Sequence, residues 1–216
     1  PFKRAYTLDQ TAPGIALSNL SLSSDTGASP SDFVTKTAAQ TITATLSAAL
    51  ASGDQLQGSI DDGLHWTDIT NMIAGSTLVW PGVALTEGSS ALQFRFVDFL
   101  GNTSSAQRQP YTLDITPPGA PTAPSLASTS DSGISDSDRI TSAPSPTVIG
   151  TAESGSTVII YSDNNPLGTT FATGGSWNFT APLLPNGVHP IKATATDLAG
   201  NVSADSATTN ITIDRQ

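Results

Sequence analysis

Apolar residues recur at every second position along most of this chain. Ile42, Ala44 and Leu46 share one face of the stretch Thr41–Leu46, with threonines between them. Gln55–Ile60 alternates in the same way, as do Leu92–Val97 and Val188–Ala195. A period of two sends successive side chains to opposite faces, so these stretches predict half-buried antiparallel strands. Between them lie Asp61-Asp62-Gly63, Asp163-Asn164-Asn165, Thr173-Gly174-Gly175 and Pro185-Asn186-Gly187, residues chosen for turns because Gly, Asn and Asp accept unusual backbone angles. No segment sustains a helical period. Short strands separated by frequent turns predict an all-β chain folded as sandwiches.

The pattern also repeats. Tyr6-Thr7-Leu8-Asp9 returns as Tyr111-Thr112-Leu113-Asp114, an offset of 111 − 6 = 105, and a shortened copy, Thr212-Ile213-Asp214, follows near the end. Asp25-Thr26-Gly27 with Asp32-Phe33-Val34-Thr35 parallels Asp131-Ser132-Gly133 with Asp138-Arg139-Ile140-Thr141, offset 106. Asp98-Phe99-Leu100-Gly101-Asn102 parallels Asp197-Leu198-Ala199-Gly200-Asn201, offset 99. Such self-similarity marks a repeat array. The chain divides into module 1 over 6–113 and module 2 over 114–214, joined through a linker at about 114–119 that contains Pro117-Pro118. At about 100 residues, with roughly seven strands apiece, each module matches an immunoglobulin-type Greek-key sandwich.

Composition sharpens this picture. Cysteine is absent, so no disulfide braces the modules. The acids comprise 16 Asp but only Glu87 and Glu153, and the formal net charge is −10. Turns and hard-cation sites favour Asp, whereas helices favour Glu. An excess of carboxylates excludes nucleic acid as a partner. No apolar run reaches the roughly 18 residues of a membrane helix, so no membrane insertion is expected. The chain begins at Pro1 without a leader-like segment and reads as a piece of a longer protein, its secretion signal lying elsewhere.

The ordered set of motifs resembles the bacterial immunoglobulin-like repeats of large secreted and biofilm-associated adhesins. The marks are Asp-x-Thr-x-Pro at the linker, Asp-[Ser/Thr]-Gly followed by Asp-x-[Val/Ile]-Thr, Gly150-Thr151-Ala152-Glu153-Ser154-Gly155, and Ala195-Thr196-Asp197-Leu198-Ala199-Gly200-Asn201-Val202-Ser203. Module 2 carries them all. Module 1 departs at Val97-Asp98 and Leu100 and lacks the Gly-Thr-Ala-Glu run. The resemblance spans about Tyr6 to Asp214. It implies non-catalytic spacer modules outside the cell or on the bacterial surface, supporting adhesion and biofilm formation, with calcium keeping the array extended. It also implies a monomer whose partners are neighbouring modules of the same chain.

Topology leads to a similar expectation. In a seven-stranded sandwich the loop between the first two strands and the end of the last strand share the trailing end. The turn before the last strand lies at the leading end. Asp25, Asp32 and Asp114 of module 1 and Asp197 of module 2 are therefore expected at the joint between modules. Asp9 and Asp98 are expected at the front joint, and Asp131, Asp136, Asp138 and Asp214 at the rear one. Carboxylates gathered without cations repel one another. A hard dication relieves them, and oxygen-only ligands favour Ca2+ over zinc. The plainer alternative is that Asp-x-Gly and Asp-x-x-Gly-Asn simply build turns.

Other candidates are weaker. His65 and His189 lie in different modules without counterparts, which argues against a triad and against an enzyme. Asp61 and Asp62 precede Gly63 in an expected solvated hairpin turn. Trp177 alternates with Phe179 and is expected in a core. Trp66 and Trp80 are candidates for core packing, or for a contact surface that takes a glycan or a surface protein. Asn19, Asn102, Asn178, Asn201 and Asn210 begin sequons of a kind that a Ser/Thr-rich chain produces by chance.

Overall fold

The computed structural model describes residues 8–132 and 134–216. Tyr6, Thr7 and Gly133 of the repeated motifs lie outside the described residues. The chain forms two compact units, residues 1–115 and 116–216.

The first unit contains β1 (Leu17–Leu22), β2 (Val34–Thr35), β3 (Ala39–Leu46), β4 (Gln55–Ser59), β5 (Thr67–Asp68), β6 (Ile73–Ala74), β7 (Thr77–Ala84), β8 (Gly88–Val97) and β9 (Gln107–Leu113), with one short 3-10 turn at Thr70–Met72. They make two sheets, ordered β1-β3-β7-β6 and β2-β9-β8-β4-β5. The second unit contains β10 (Ser125–Leu126), β11 (Ile140–Thr141), β12 (Thr147–Thr151), β13 (Thr157–Ser162), β14 (Asn165–Phe171), β15 (Ser176–Thr180), β16 (Gly187–Thr196) and β17 (Thr209–Ile213). Its sheets run β10-β12-β15 and β11-β17-β16-β13-β14. Pairing is antiparallel except where β2 joins β9 and β11 joins β17 in parallel. That arrangement is the all-β sandwich expected from the alternation.

The alternation decides what is buried. Ile42, Ala44 and Leu46 face inward from β3, and Leu92, Phe94 and Phe96 from β8, forming one core with Leu56 and Leu78. Val158, Ile160, Ile191, Ala193, Ile211 and Ile213 do the same in the second unit. Two tryptophans complete these cores, each over a glycine whose missing side chain makes room. A Cβ on Gly58 would stand 2.6 Å from the Trp80 ring, and one on Gly150 would clash with Trp177. Trp80 is only 8% exposed and meets Phe94 edge-on, with centroids 6.1 Å apart. Trp80 therefore belongs to the core and is removed from any contact surface, because a ring enclosed between two sheets has no face to offer a ligand. Trp177 is buried as expected, and Trp66 remains half-exposed.

Candidate cation sites at the module ends

At the trailing end of the first unit the chain leaves β1, loops through residues 23–33 and enters β2. Asp25 anchors this loop. Its Oδ2 accepts a hydrogen bond from the Phe33 N–H at 2.9 Å. Phe33 has the left-handed φ of 60°, unusual for an aromatic residue, and its ring is buried. The neighbouring Asp32 accepts from the N–H groups of Val34 and Ser29 at 3.0 and 3.1 Å. Thr35 Oγ1 donates to the Ser24 carbonyl, and the buried Gln40 amide donates to the same carbonyl at 2.8 Å. From β2 the backbone locks onto β9: Thr112 donates to the Phe33 carbonyl and Asp114 to the Thr35 carbonyl, both at 2.9 Å. Asp25, Asp32 and Asp114 thus all belong to the loop and paired strands at this end of the first unit.

The second unit repeats this construction. Asp131 Oδ2 accepts from the Arg139 N–H at 3.2 Å, and Arg139 has φ 64°. Asp138 accepts from the Ile140 N–H at 3.0 Å. Thr212 and Asp214 donate to the carbonyls of Arg139 and Thr141 at 2.9 and 2.8 Å. Asp131, Asp138 and Asp214 share this end. Asp136 is exposed in the same loop.

The leading end is built differently. Asp98 Oδ1 accepts from the N–H groups of Leu100 and Asn102, each at 2.8 Å, and Oδ2 accepts from the Asn102 side chain at 2.7 Å. That side-chain hydrogen bond, more than any other influence, holds the Asp98 carboxyl below its ordinary value. Asn102 also donates to the Asp9 carbonyl at 3.2 Å, so Asp9 and Asp98 meet through one amide. Asp9 uses its own Oδ1 on the Thr11 N–H. Asp197 repeats the clamp with Ala199 and Asn201 at 2.8 to 2.9 Å. Asp98 and Asp197 each spend three of about four acceptor positions on their own turns, which makes them turn-builders first. Asn102 and Asn201 close these turns, and the recurrence of Gly-Asn at offset 99 is their signal in the sequence.

In both modules one buried carboxylate oxygen, Asp25 Oδ1 and Asp131 Oδ1, has no hydrogen-bond partner among the described residues. Burial, and then the negative charge of Asp32, pushes the Asp25 carboxyl above its ordinary value. At the first module's end Asp25 Oδ1, with the Asp32 carboxylate beside it, is an oxygen-only donor pair of the kind that suits calcium and not zinc. Among the described residues no three His, Asp or Glu side chains already surround one point closely enough to hold an ion.

The remaining candidates resolve individually. His65 pairs with Asp61, and the His189 ring bonds the Pro185 carbonyl; neither ring meets a serine hydroxyl among the described residues. The 61–62 turn is more engaged than expected. Asp62 is exposed, as expected of a solvated turn, and is also bound by Arg108 at 2.8 Å, because the turn folds back over the outer face of the sheet. Among the described residues no helix is long and apolar enough to cross a membrane.

The model of a family described as bacterial Ig-like domain matches residues 11–115 and again 117–215. No curated protein matches the chain. Among solved structures, fibronectin(III)-like modules of Clostridium thermocellum CbhA share 15% identity, covering 90% of this chain and 94% of theirs, with a TM-score of 0.44. A biofilm-associated protein BSP domain shares 14% identity over 84% of this chain, with a TM-score of 0.33; the match spans only 28% of that protein. A bacterial ice-binding adhesin of 1.5 MDa, from a study of host cell surface retention, shares 16% identity over 94% of this chain and 65% of its own, with a TM-score of 0.41.

Proposed function

Since the chain belongs to the bacterial Ig-like domain family, matched once by each module, we propose that it serves as a non-catalytic spacer in an extracellular or surface-anchored adhesin. In this reading calcium at the module ends stiffens the array and so supports cell adhesion and biofilm formation. The observation that carries it is the pair of orphaned oxygens, Asp25 Oδ1 and Asp131 Oδ1, at equivalent positions of the two modules. A buried acceptor left without a donor costs about 1–3 kcal/mol, and two modules keep the same defect 106 residues apart. A cation at that oxygen removes the cost.

Asp25 and Asp32, with Asp114 following, supply one set; Asp131 and Asp138, with Asp136 and Asp214 nearby, supply the other. In an array the leading-end turn of the next module, bearing Asp197 or its equivalent, adds ligands to the set before it, and Asp9 with Asp98 receives the preceding module. Extracellular calcium modules have dissociation constants of roughly 10⁻⁴–10⁻³ M, so the site is expected to fill at millimolar calcium. At a hundredfold excess over the dissociation constant the bound form gains about 2.7 kcal/mol.

Isothermal titration with calcium and small-angle scattering in calcium and in chelator test the reading. Heat of binding, together with a longer maximum dimension in calcium, supports it. Binding without any change of dimension removes the stiffening role, and no heat removes the ion.

A further inference from the structure

We propose that the first module also carries a binding site for a neutral, polyhydroxylated glycan chain, formed where the loop between β4 and β5 folds over the outer face of β8 and β9. This goes beyond the spacer reading and does not depend on it.

The loop is specific to one module. In the second module the equivalent connection, from β13 to β14, is the two-residue turn Asp163-Asn164 between the paired Ser162 and Asn165. In the first, residues 59–66 intervene between the paired Gly58 and Thr67. The longer loop is braced. Ser59 Oγ donates to Asp61 Oδ1 at 2.7 Å and accepts from the Gly63 N–H at 2.9 Å. Asp61 accepts from the His65 N–H at 2.9 Å and meets its ring nitrogen at 2.5 Å. Asp62 and Gly63 both take positive φ, turning the loop back over the sheet.

This turn aligns a row of polar groups. Asp62 Oδ1 accepts from Gln93 Nε2 at 2.6 Å and Arg108 Nε at 2.8 Å, and Oδ2 accepts from Arg108 Nη2 at 3.1 Å. One step along β8, Arg95 donates to Gln57 at 2.8 Å and lies 4.1 Å from the centroid of the half-exposed Trp66 ring. Beside the row opens a cavity of about 460 Å³, bordered among others by Asp61, Leu64, Ser89, Arg108 and Pro110. Carboxylate, guanidinium and hydroxyl groups here are oriented before any ligand arrives, which lowers the ordering cost of binding. Leu64, 78% exposed, Pro110 and the Trp66 indole add apolar surface of the kind that covers the carbon face of a sugar ring.

Charge and topology choose the ligand class. β8 is flanked on both sides by β4 and β9, and β2 covers β9 at Thr112 and Leu113; next to them Pro110, which has no N–H to offer, breaks the ladder that an extended peptide would need. Arg108 is neutralised by Asp62 and Asp61 offsets Arg95, so the row carries no net charge within a chain of −10. An anionic ligand meets no surplus cation here and the negative field of the whole chain opposes it, whereas a neutral polyol uses the donors and acceptors without a charge penalty.

The test is affinity electrophoresis of the intact two-module chain in gels cast with hydroxyethylcellulose, xyloglucan, galactomannan or dextran, and with alginate as the acidic polymer. The gels run in chelator, so calcium stiffening is not at issue. At least one neutral polymer is expected to retard the chain and alginate none. Trp66→Ala and the surface variant Arg108→Gln should weaken retardation about tenfold, the loss typical of one anchoring contact. Near-UV dichroism confirms that each variant is folded. No retardation by any neutral polymer, retardation by alginate alone, or undiminished retardation of a folded Arg108→Gln would each overturn the proposal.

Discussion

Phe33 and Arg139 occupy the same left-handed backbone conformation, φ 60° and 64°, and each donates its N–H to an aspartate eight residues earlier. One is a buried aromatic residue and the other an exposed cation. The backbone geometry is therefore a property of the loop and not of the side chain. It turns the chain from the Asp25 or Asp131 loop into the short parallel strand that pairs with β9 or β17.

This pairing yields opposite outcomes for one substitution. A left-handed conformation costs an ordinary residue about 1–2 kcal/mol and glycine almost nothing. Glycine also loses more entropy on folding, by roughly 0.5–1 kcal/mol. Arg139→Gly, at an exposed site, is expected to stabilise the second module by up to about 1 kcal/mol. Phe33→Gly removes a core ring as well, so the first module should lose about 3 kcal/mol or more. Urea unfolding followed in each module separates the two results.

The asparagine clamp offers a second comparison. Asn201 is 7% exposed and its side chain closes the Asp197 turn. Truncation to alanine leaves buried backbone and carboxylate partners unpaired, so Asn201→Ala should cost about 1–2 kcal/mol. Asn102 makes the equivalent bond to Asp98 in a more open setting, with additional contact to the Asp9 carbonyl. Asn102→Ala is expected to cost less in stability and to loosen residues 9–12. Hydrogen exchange at the Thr11 amide reports this directly.

Much of this was readable from residue order. The period-two alternation of Leu92, Phe94 and Phe96 announces β8 because burial on one sheet face admits no other pattern. The repeated aspartates identify the module ends, since strand order alone decides which loops share an end. Other features were not readable. Gly58 and Gly150 look like weak points in strands, and only the three-dimensional approach of Trp80 and Trp177 explains them. The partners of the exposed Asp62, Gln93 and Arg108, are 31 and 46 positions away. No local pattern carries contacts of that separation. The same limit leaves Trp80 open in sequence between core packing and a contact surface, whereas its neighbours Gly58 and Phe94 enclose it.

The tryptophan–glycine contacts predict intolerance of a single methyl group. A Cβ at Gly58 would fall 2.6 Å from one Trp80 ring atom and 2.9 Å from Ile69. Both neighbours are core residues without room to retreat, so Gly58→Ala should destabilise the first module by about 1–3 kcal/mol through overpacking. Combining it with Trp80→Leu, which vacates the ring volume, should cost less than the sum of the two single changes. A double-mutant cycle in urea checks the coupling, and additivity would show that the ring does not oppose the methyl.

Asp25 gives the calcium reading a pH signature. Burial first, and then the neighbouring charge of Asp32, raises its carboxyl above the ordinary 3.8. In chelator the folded protein therefore keeps this proton to higher pH than the unfolded chain does. The associated stability is present below about 3.8 and is lost as pH rises through the raised value. Asp25→Asn keeps an oxygen for the Phe33 N–H but does not titrate. Without calcium, the stability of the wild-type protein relative to this variant should fall as pH rises from about 3 to about 7. Asp62, Asp68 and Asp98, whose hydrogen bonds lower their values, contribute the opposite slope in both proteins and cancel from the difference. Added calcium should reverse the order at neutral pH, because the ion fills the wild-type site and finds one ligand charge fewer in the variant. Denaturant midpoints in chelator and in millimolar calcium, measured across that range, decide it; a difference that ignores both pH and calcium would show that the Asp25 carboxylate only shapes its turn.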